Sequence, residues 1–265
     1  MSWRDVVVAE GRRVVDPVSG CTRADLLHFG AQAAPWLLPH LAGRAVSLRP
    51  GPTSTPAPLE MHQAAPGELL GVARRRLDDG ETALEIACDE GRLHALQHGC
   101  VEFRTGHGRV DPPQLPDRLV FTLQPQHDAG WQEVAEAATR VRHSFHELGL
   151  SCCVKTDGRR GLDLIVPLEP GWTWPVLGSA AEALAAHASA QWPTQVALGA
   201  PGRAARIDWR ANTRAARVTA AYSPVAEAGL AVSVPLRWGE LAHVDSAMHW
   251  NVFSLPHRLL ALQGS

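Results

Sequence analysis

The stretch from Asp117 to Leu168 narrows the folds open to this chain more than any other. It opens on an apolar run, Arg118-Leu119-Val120-Phe121-Thr122-Leu123-Gln124, closed by Pro125. Such a run reads as a buried strand whose last residues emerge at a sheet edge. From Trp131 to Leu148, residues Val134, Ala137, Ala138, Val141, Phe145 and Leu148 recur at helical spacing, and Gly149 stops the helix. Two strands follow, Ser151 to Thr156 and Leu162 to Val166, on either side of the turn Asp157-Gly158-Arg159-Arg160-Gly161. Strands joined by so short a turn must run antiparallel. A doubly wound parallel sheet would show regular alternation of strand and helix, which is not the order here. The predicted class is therefore α+β: a central, mostly antiparallel sheet of the RNA-recognition-motif type and a second, smaller sheet, flanked by helices.

The rest of the chain reads as support for that core. Val6 to Ala9 and Arg13 to Val15 form a candidate hairpin, and Thr22 with Asp25 is a capping box opening a helix to about Pro39. Ala45 to Arg49 is a short strand. The proline-rich segment Pro50 to Pro66 excludes helix or central strand and reads as a long loop. Strands at Leu69 to Arg75, Thr82 to Cys88 and Cys100 to Arg104 enclose a helix at Glu90 to His98. Thr173 opens an alanine-rich helix to Gln191, and Arg203 to Trp209 is a strand with Asp208 at its emerging end. One domain is expected over residues 1–265: a supporting lobe to residue 104, a core over 116–223 and a closing segment over 224–265.

At 265 residues and 45% hydrophobic content the chain can bury a sizeable core. No apolar signal region or membrane-length run is present, so a cytoplasmic protein is expected, with no membrane partner. Five cysteines without a C-x-x-C pair predict reduced core thiols rather than disulfides or zinc. His94 and His98 fall at i and i+4 near Cys100, but no fourth metal ligand is evident, and surface histidines are the expectation. The net charge of −2, with Lys155 the single lysine, gives no global signature of a nucleic-acid binder. The run Arg74-Arg75-Arg76 reads as an exposed strand end with solvated arginines.

Several motifs, in order, resemble the polymerase domain of bacterial ligase D, a branch of the archaeo-eukaryotic primase superfamily that fills in ends during non-homologous end joining. They include Thr22-Arg23-Ala24-Asp25-Leu26-Leu27, Ala34-Pro35-Trp36-Leu37-Leu38-Pro39-His40-Leu41, Gly99-Cys100-Val101-Glu102-Phe103, Pro116-Asp117-Arg118-Leu119-Val120-Phe121 and Val154-Lys155-Thr156. Asp208-Trp209, Asn212, Arg214, Tyr222-Ser223 and Pro235-Leu236-Arg237-Trp238 continue the match, which spans about residues 5 to 260. The resemblance implies three aspartates holding two divalent ions that activate the primer hydroxyl and neutralise the triphosphate. Here the Asp-x-Asp positions are Thr122 and Gln124, and only Asp208 remains. The family's Ser-Gly-x-x-Gly-x-His phosphate turn is Asp157 to Asp163, its glycines kept and its serine and histidine replaced. Arg104 replaces another histidine, with His107 nearby. Two family lysines that face phosphate correspond to Arg49 and Gln63.

One carboxylate cannot replace three as a holder of two hard cations, and Asp157 and Asp163 add negative charge where a triphosphate would lie. The favoured reading is a pseudo-enzyme with no cofactor, a module that binds DNA ends or a repair partner such as a ligase or Ku-like protein. Its phosphate contacts are expected from Arg49, Lys155, Arg159, Arg160, Arg214 and Arg217. The alternative is an active primase-polymerase using Mn or Mg at a rebuilt site of Asp163 and Asp208, with Asp157 or His127.

Overall fold

Backbone groups at a helix start need partners, and Thr22 supplies them. In a computed structural model that describes residues 11–52, 69–112, 114–126, 129–199 and 205–263, its hydroxyl accepts from Asp25 N–H while the Asp25 carboxylate accepts from Thr22 N–H. This is the expected capping box. The short strands β1 (Val14–Asp16) and β2 (Cys21–Thr22) pair antiparallel just before it. The other strand of the hairpin expected around Glu10-Gly11, residues 6–9, lies outside the described residues. Helix α1 (Arg23–Leu41) runs past Pro39, because both prolines inside it lie on its exposed side while Leu37 and Leu41 are buried.

Four strands of a five-stranded antiparallel sheet follow, β3 (Arg44–Pro50), β4 (Val72–Arg76), β5 (Thr82–Ile86) and β6 (Cys100–Arg109), with α2 (Asp89–Gln97) between the last two. Strand β6 extends beyond the expected end at Arg104. Glycines 106 and 108 weaken the strand pattern in the sequence, but pairing of Arg44 with Arg109 carries the ladder to the end.

The core follows the predicted order: β7 (Arg118–Gln124), α3 (Trp131–Glu147), β8 (Cys153–Thr156), β9 (Leu162–Pro167), α4 (Trp174–Gln191), β10 (Val196–Ala197) and β11 (Ala205–Asp208). The spatial order β11-β7-β9-β8 is that of a split βαβ, the RNA-recognition-motif arrangement, with β10 outside β11. Every pair in this sheet is antiparallel except β10 with β11. Strand β12 (Val218–Thr219) then joins the first sheet beside β6, and β13 (Pro235–Leu236) closes the second beside β8. The two sheets are thus tied by a chain that crosses between them.

Alternation assigns the two faces of the six-stranded sheet. Leu119, Phe121, Leu123, Leu162, Leu164 and Val166 are buried, in one cluster with Val134, Val141 and Phe145 of α3 and Leu177 of α4. Phe121 and Phe145 meet ring to ring at 4.9 Å. The opposite face carries Arg118, Thr122, Gln124, Asp163 and Lys155. Helix α5 (Leu255–Gln263) lies against α1. Among the described residues no helix is long and apolar enough to cross a membrane. All five cysteines are free, but only Cys21 and Cys100 are core residues; Cys88 and Cys153 are exposed.

Candidate functional site

Register across four strands draws the polar face into a row. Asp208 on β11 stands opposite Thr122 on β7, Thr122 opposite Asp163 on β9, and Asp163 opposite Lys155 on β8. Gln124, two residues on from Thr122, stands opposite Arg206. The structure therefore brings together Thr122, Gln124 and Asp208, as the sequence predicts. Hydrogen bonds run along the row. Thr122 Oγ1 donates to Asp163 Oδ1 at 2.7 Å, and Lys155 Nζ donates to Asp163 Oδ2 at 2.6 Å and to Ser233 Oγ at 2.8 Å. Ser233 Oγ passes the chain on to the carbonyl of Thr156 at 2.7 Å. Lys155 and Asp163 are both buried. The charge expected of Asp163 is therefore balanced within the sheet, and Lys155 does not face solvent. Gln124 Oε1 accepts from Arg206 Nη2 at 2.9 Å. Asp208 is part-exposed, takes the N–H of Arg210 at 3.0 Å and lies 3.4 Å from Arg206 Nη1.

The Asp157 to Gly161 turn presents its N–H groups differently from a phosphate cradle. The Asp157 carboxylate itself accepts from the N–H of Arg159 at 2.7 Å and of Gly161 at 2.9 Å. Burial, together with the charge of Asp163, pushes the Asp157 pKa up. Gly158 has φ +72°, and a Cβ on Gly161 would stand 2.0 Å from the Leu123 carbonyl, which explains why both glycines are kept.

Sequence reasoning missed Glu102, the hub of the cleft. It is a fully buried carboxylate on β6 that accepts two bonds from Arg159 Nη2, at 2.9 and 2.8 Å. Thr219 Oγ1 at 2.7 Å and Ala226 N–H at 3.1 Å complete its shell. Burial alone would raise its pKa, but Arg159, Thr219 and Ala226 more than offset this and hold it below the usual carboxylate value. Arg159 also meets Glu227 at 2.6 Å. The signal was available: a glutamate inside the apolar run Cys100-Val101-Glu102-Phe103.

The remaining candidates separate into two groups. Arg49 and Arg104 each lie 3.7 Å from Glu102, and Arg104 donates to the Arg217 carbonyl. Arg214 turns away to Asp79 at 3.0 Å and to the Gln114 side chain, and Arg217 donates to the carbonyls of Arg214 and Ala216. Arg160 is exposed and makes no ion pair among the described residues. His107 is fully buried with neither ring nitrogen bonded among the described residues; burial and the nearby Arg118, Arg217 and Arg44 drive its pKa well below 6.5. Arg75 of the exposed β4 edge pairs with Glu85 at 2.6 Å. His98 Nδ1 contacts the His94 carbonyl at 2.8 Å, and no cluster of three metal-ligating side chains occurs among the described residues. Gln63 and His127 lie outside them.

Known proteins share this arrangement of elements. The family model for the LigD primase-polymerase domain matches residues 22–264. The multifunctional non-homologous end joining protein LigD of Pseudomonas aeruginosa is 34% identical over 98% of this chain, and its counterpart in Mycobacterium tuberculosis is 26% identical over 91%. The chain spans about a third of the length of these curated relatives, 32% and 34% respectively. A solved structure, the polymerase domain from Mycobacterium tuberculosis ligase D in complex with DNA, superimposes with a TM-score of 0.85 at 22% identity, covering 97% of this chain and 94% of that one. From the match over residues 22–264 and the identity along nearly its whole length, the chain belongs to the LigD primase-polymerase domain family.

Proposed function

We propose that this chain is a non-catalytic member of its family, a module that binds DNA ends or a repair partner in non-homologous end joining. The observation that carries the reading is the saturated row at Thr122, Asp163 and Lys155. A pair of divalent ions needs several anionic oxygens in near-octahedral order. The donors at this face are a threonine hydroxyl, a glutamine amide oxygen already taken by Arg206, and Asp163, both of whose oxygens are taken. Asp208 is the one carboxylate left open to solvent, between two arginines. These residues do not suit a metal pair. Without one, loss of several kcal/mol of transition-state stabilisation, about a thousandfold or more in rate, is expected.

The turn supports the same reading, since Asp157 fills the N–H groups a phosphate would use. DNA contact then falls to cations that still reach solvent, chiefly Arg160, Arg49 and Arg210. The names of the relatives place the family in end joining, and the superimposed domain holds DNA. Two assays test the proposal together. Primer extension with manganese and ribonucleotides should leave no product, and end-containing duplexes should bind with a steep salt dependence because phosphate contacts release counterions. Extension product would establish a working transferase; no binding of any end at low salt would move the role to a protein partner.

A further inference from the structure

A cavity of about 430 Å³ lies between the two sheets, beyond the row described above. It runs from Lys155 and Cys153 past Ile165 and Pro167 to Arg118, with Val218 to Ala221 of the other sheet as a wall. Its charges do not balance. Arg44 is matched by Asp117 through two bonds of 2.8 and 2.7 Å, and Lys155 by Asp163. Arg118 meets no carboxylate at ion-pair distance among the described residues: its Nη2 donates to Thr105 Oγ1 at 3.0 Å and to the Gly106 carbonyl at 2.8 Å, and its buried Nε has no partner there. Burial, with the charge of Arg44 beside it, pulls the Arg118 pKa down to about 9 against the more distant charges of Asp117 and Asp163. His40, also on the lining, is pulled down to about 4 by burial and the charges of Arg118, Lys155 and Arg44. A half-buried guanidinium with its Nε buried and no carboxylate at ion-pair distance carries a desolvation cost, and an anion placed against it recovers part of that cost. The remaining walls, Val154, Ile165, Ala220, Ala221 and the two prolines, favour an apolar body.

We infer that this cavity binds a small organic anion, a carboxylate or phosphate monoester on an apolar body of ring size, with its anionic group at Arg118. The cavity adjoins the row at Lys155 but places its anionic group at Arg118, and the inference stands whether or not the chain binds DNA. The test uses the intact chain and three probes: 2-naphthoate, phenyl phosphate and the neutral 2-naphthamide. At least one anion should raise Tm in a dose-dependent manner, with affinity roughly tenfold or more above that of the amide, as one charge-assisted hydrogen bond provides. The better of the two anions names the chemistry. Arg118→Met should lose that preference. Because Arg118 also braces Thr105 and Gly106, Ile165→Trp serves as a second variant: it fills the space while leaving every cation in place, and should abolish binding in a folded protein. Equal affinity for anion and amide, undiminished binding by a folded Ile165→Trp protein, or no response to either anion at millimolar concentration would overturn the inference.

Discussion

Two buried ion pairs hold the polar side of this molecule, and they differ in what they join. Lys155–Asp163 links neighbouring strands of one sheet, both partners within 5% exposure. Arg159–Glu102 links the turn of that sheet to β6 of the other, with Glu102 at 0% and Arg159 at 24% exposure. The first pair organises a surface, and the second sets the separation of two surfaces. Both occupy the region where the family resemblance places nucleotide chemistry. On the proposed reading, a region that satisfies its own charges has little left to offer a triphosphate.

The largest effect should come from breaking the fully buried pair. Lys155→Met leaves the Asp163 carboxylate without its counter-ion and should destabilise by about 3–5 kcal/mol, whereas Lys155→Met with Asp163→Leu should recover most of that loss. Urea unfolding of the two single variants and the double variant measures the coupling. Glu102→Gln should cost less, about 2–3 kcal/mol, because the amide keeps one bond to Arg159 and Arg159 retains Glu227. Its further signature should be faster hydrogen exchange of the Ala226 N–H, which loses its carboxylate acceptor. Equal losses for Lys155→Met and Glu102→Gln would remove the distinction drawn between the pairs.

Acid should act in a smaller and graded way. His40 is held neutral in the fold, with its pKa at about 4 against the ordinary 6.5, and the His107 pKa is also well below 6.5. The unfolded chain therefore binds more protons below pH 6.5, so stability present above that pH is lost as pH falls toward 4. Glu102, depressed from 4.5, adds its own loss below that value. Tm measured from pH 7 to 4 should fall, and His40→Gln should flatten the upper part of the curve by an amount on the order of 1–2 kcal/mol.

The sequence made the core legible because local pattern and fold agree there. Arg118 to Gln124, the helix from Trp131, the glycine-bounded turn and the Thr22 cap each carry their signal within a few residues. The alignment of Asp208 with Thr122 and Gln124 was legible too, since a two-residue period fixes which side chains share a face. The partnerships were not. Lys155 finds Ser233 across 78 residues and Arg159 finds Glu102 across 57, and no local pattern encodes either. For that reason Lys155 and Arg159 read as free phosphate ligands in the sequence, whereas the fold commits both to carboxylates. The end of β6 was missed because its glycines hide a strand that only its partner β3 reveals.

Divalent-ion binding distinguishes a row that has closed on itself from a row that still awaits metal. Calorimetric titration with manganese, run on the natural chain and on the Thr122→Asp, Gln124→Asp variant, compares the two directly. The natural chain should show no saturable uptake and no shift in Tm. The variant should be less stable without metal, because carboxylates crowded beside Asp208 and Asp163 repel, and should gain a manganese-dependent rise in Tm. Stoichiometric binding of two manganese ions by the natural chain would contradict the closed row.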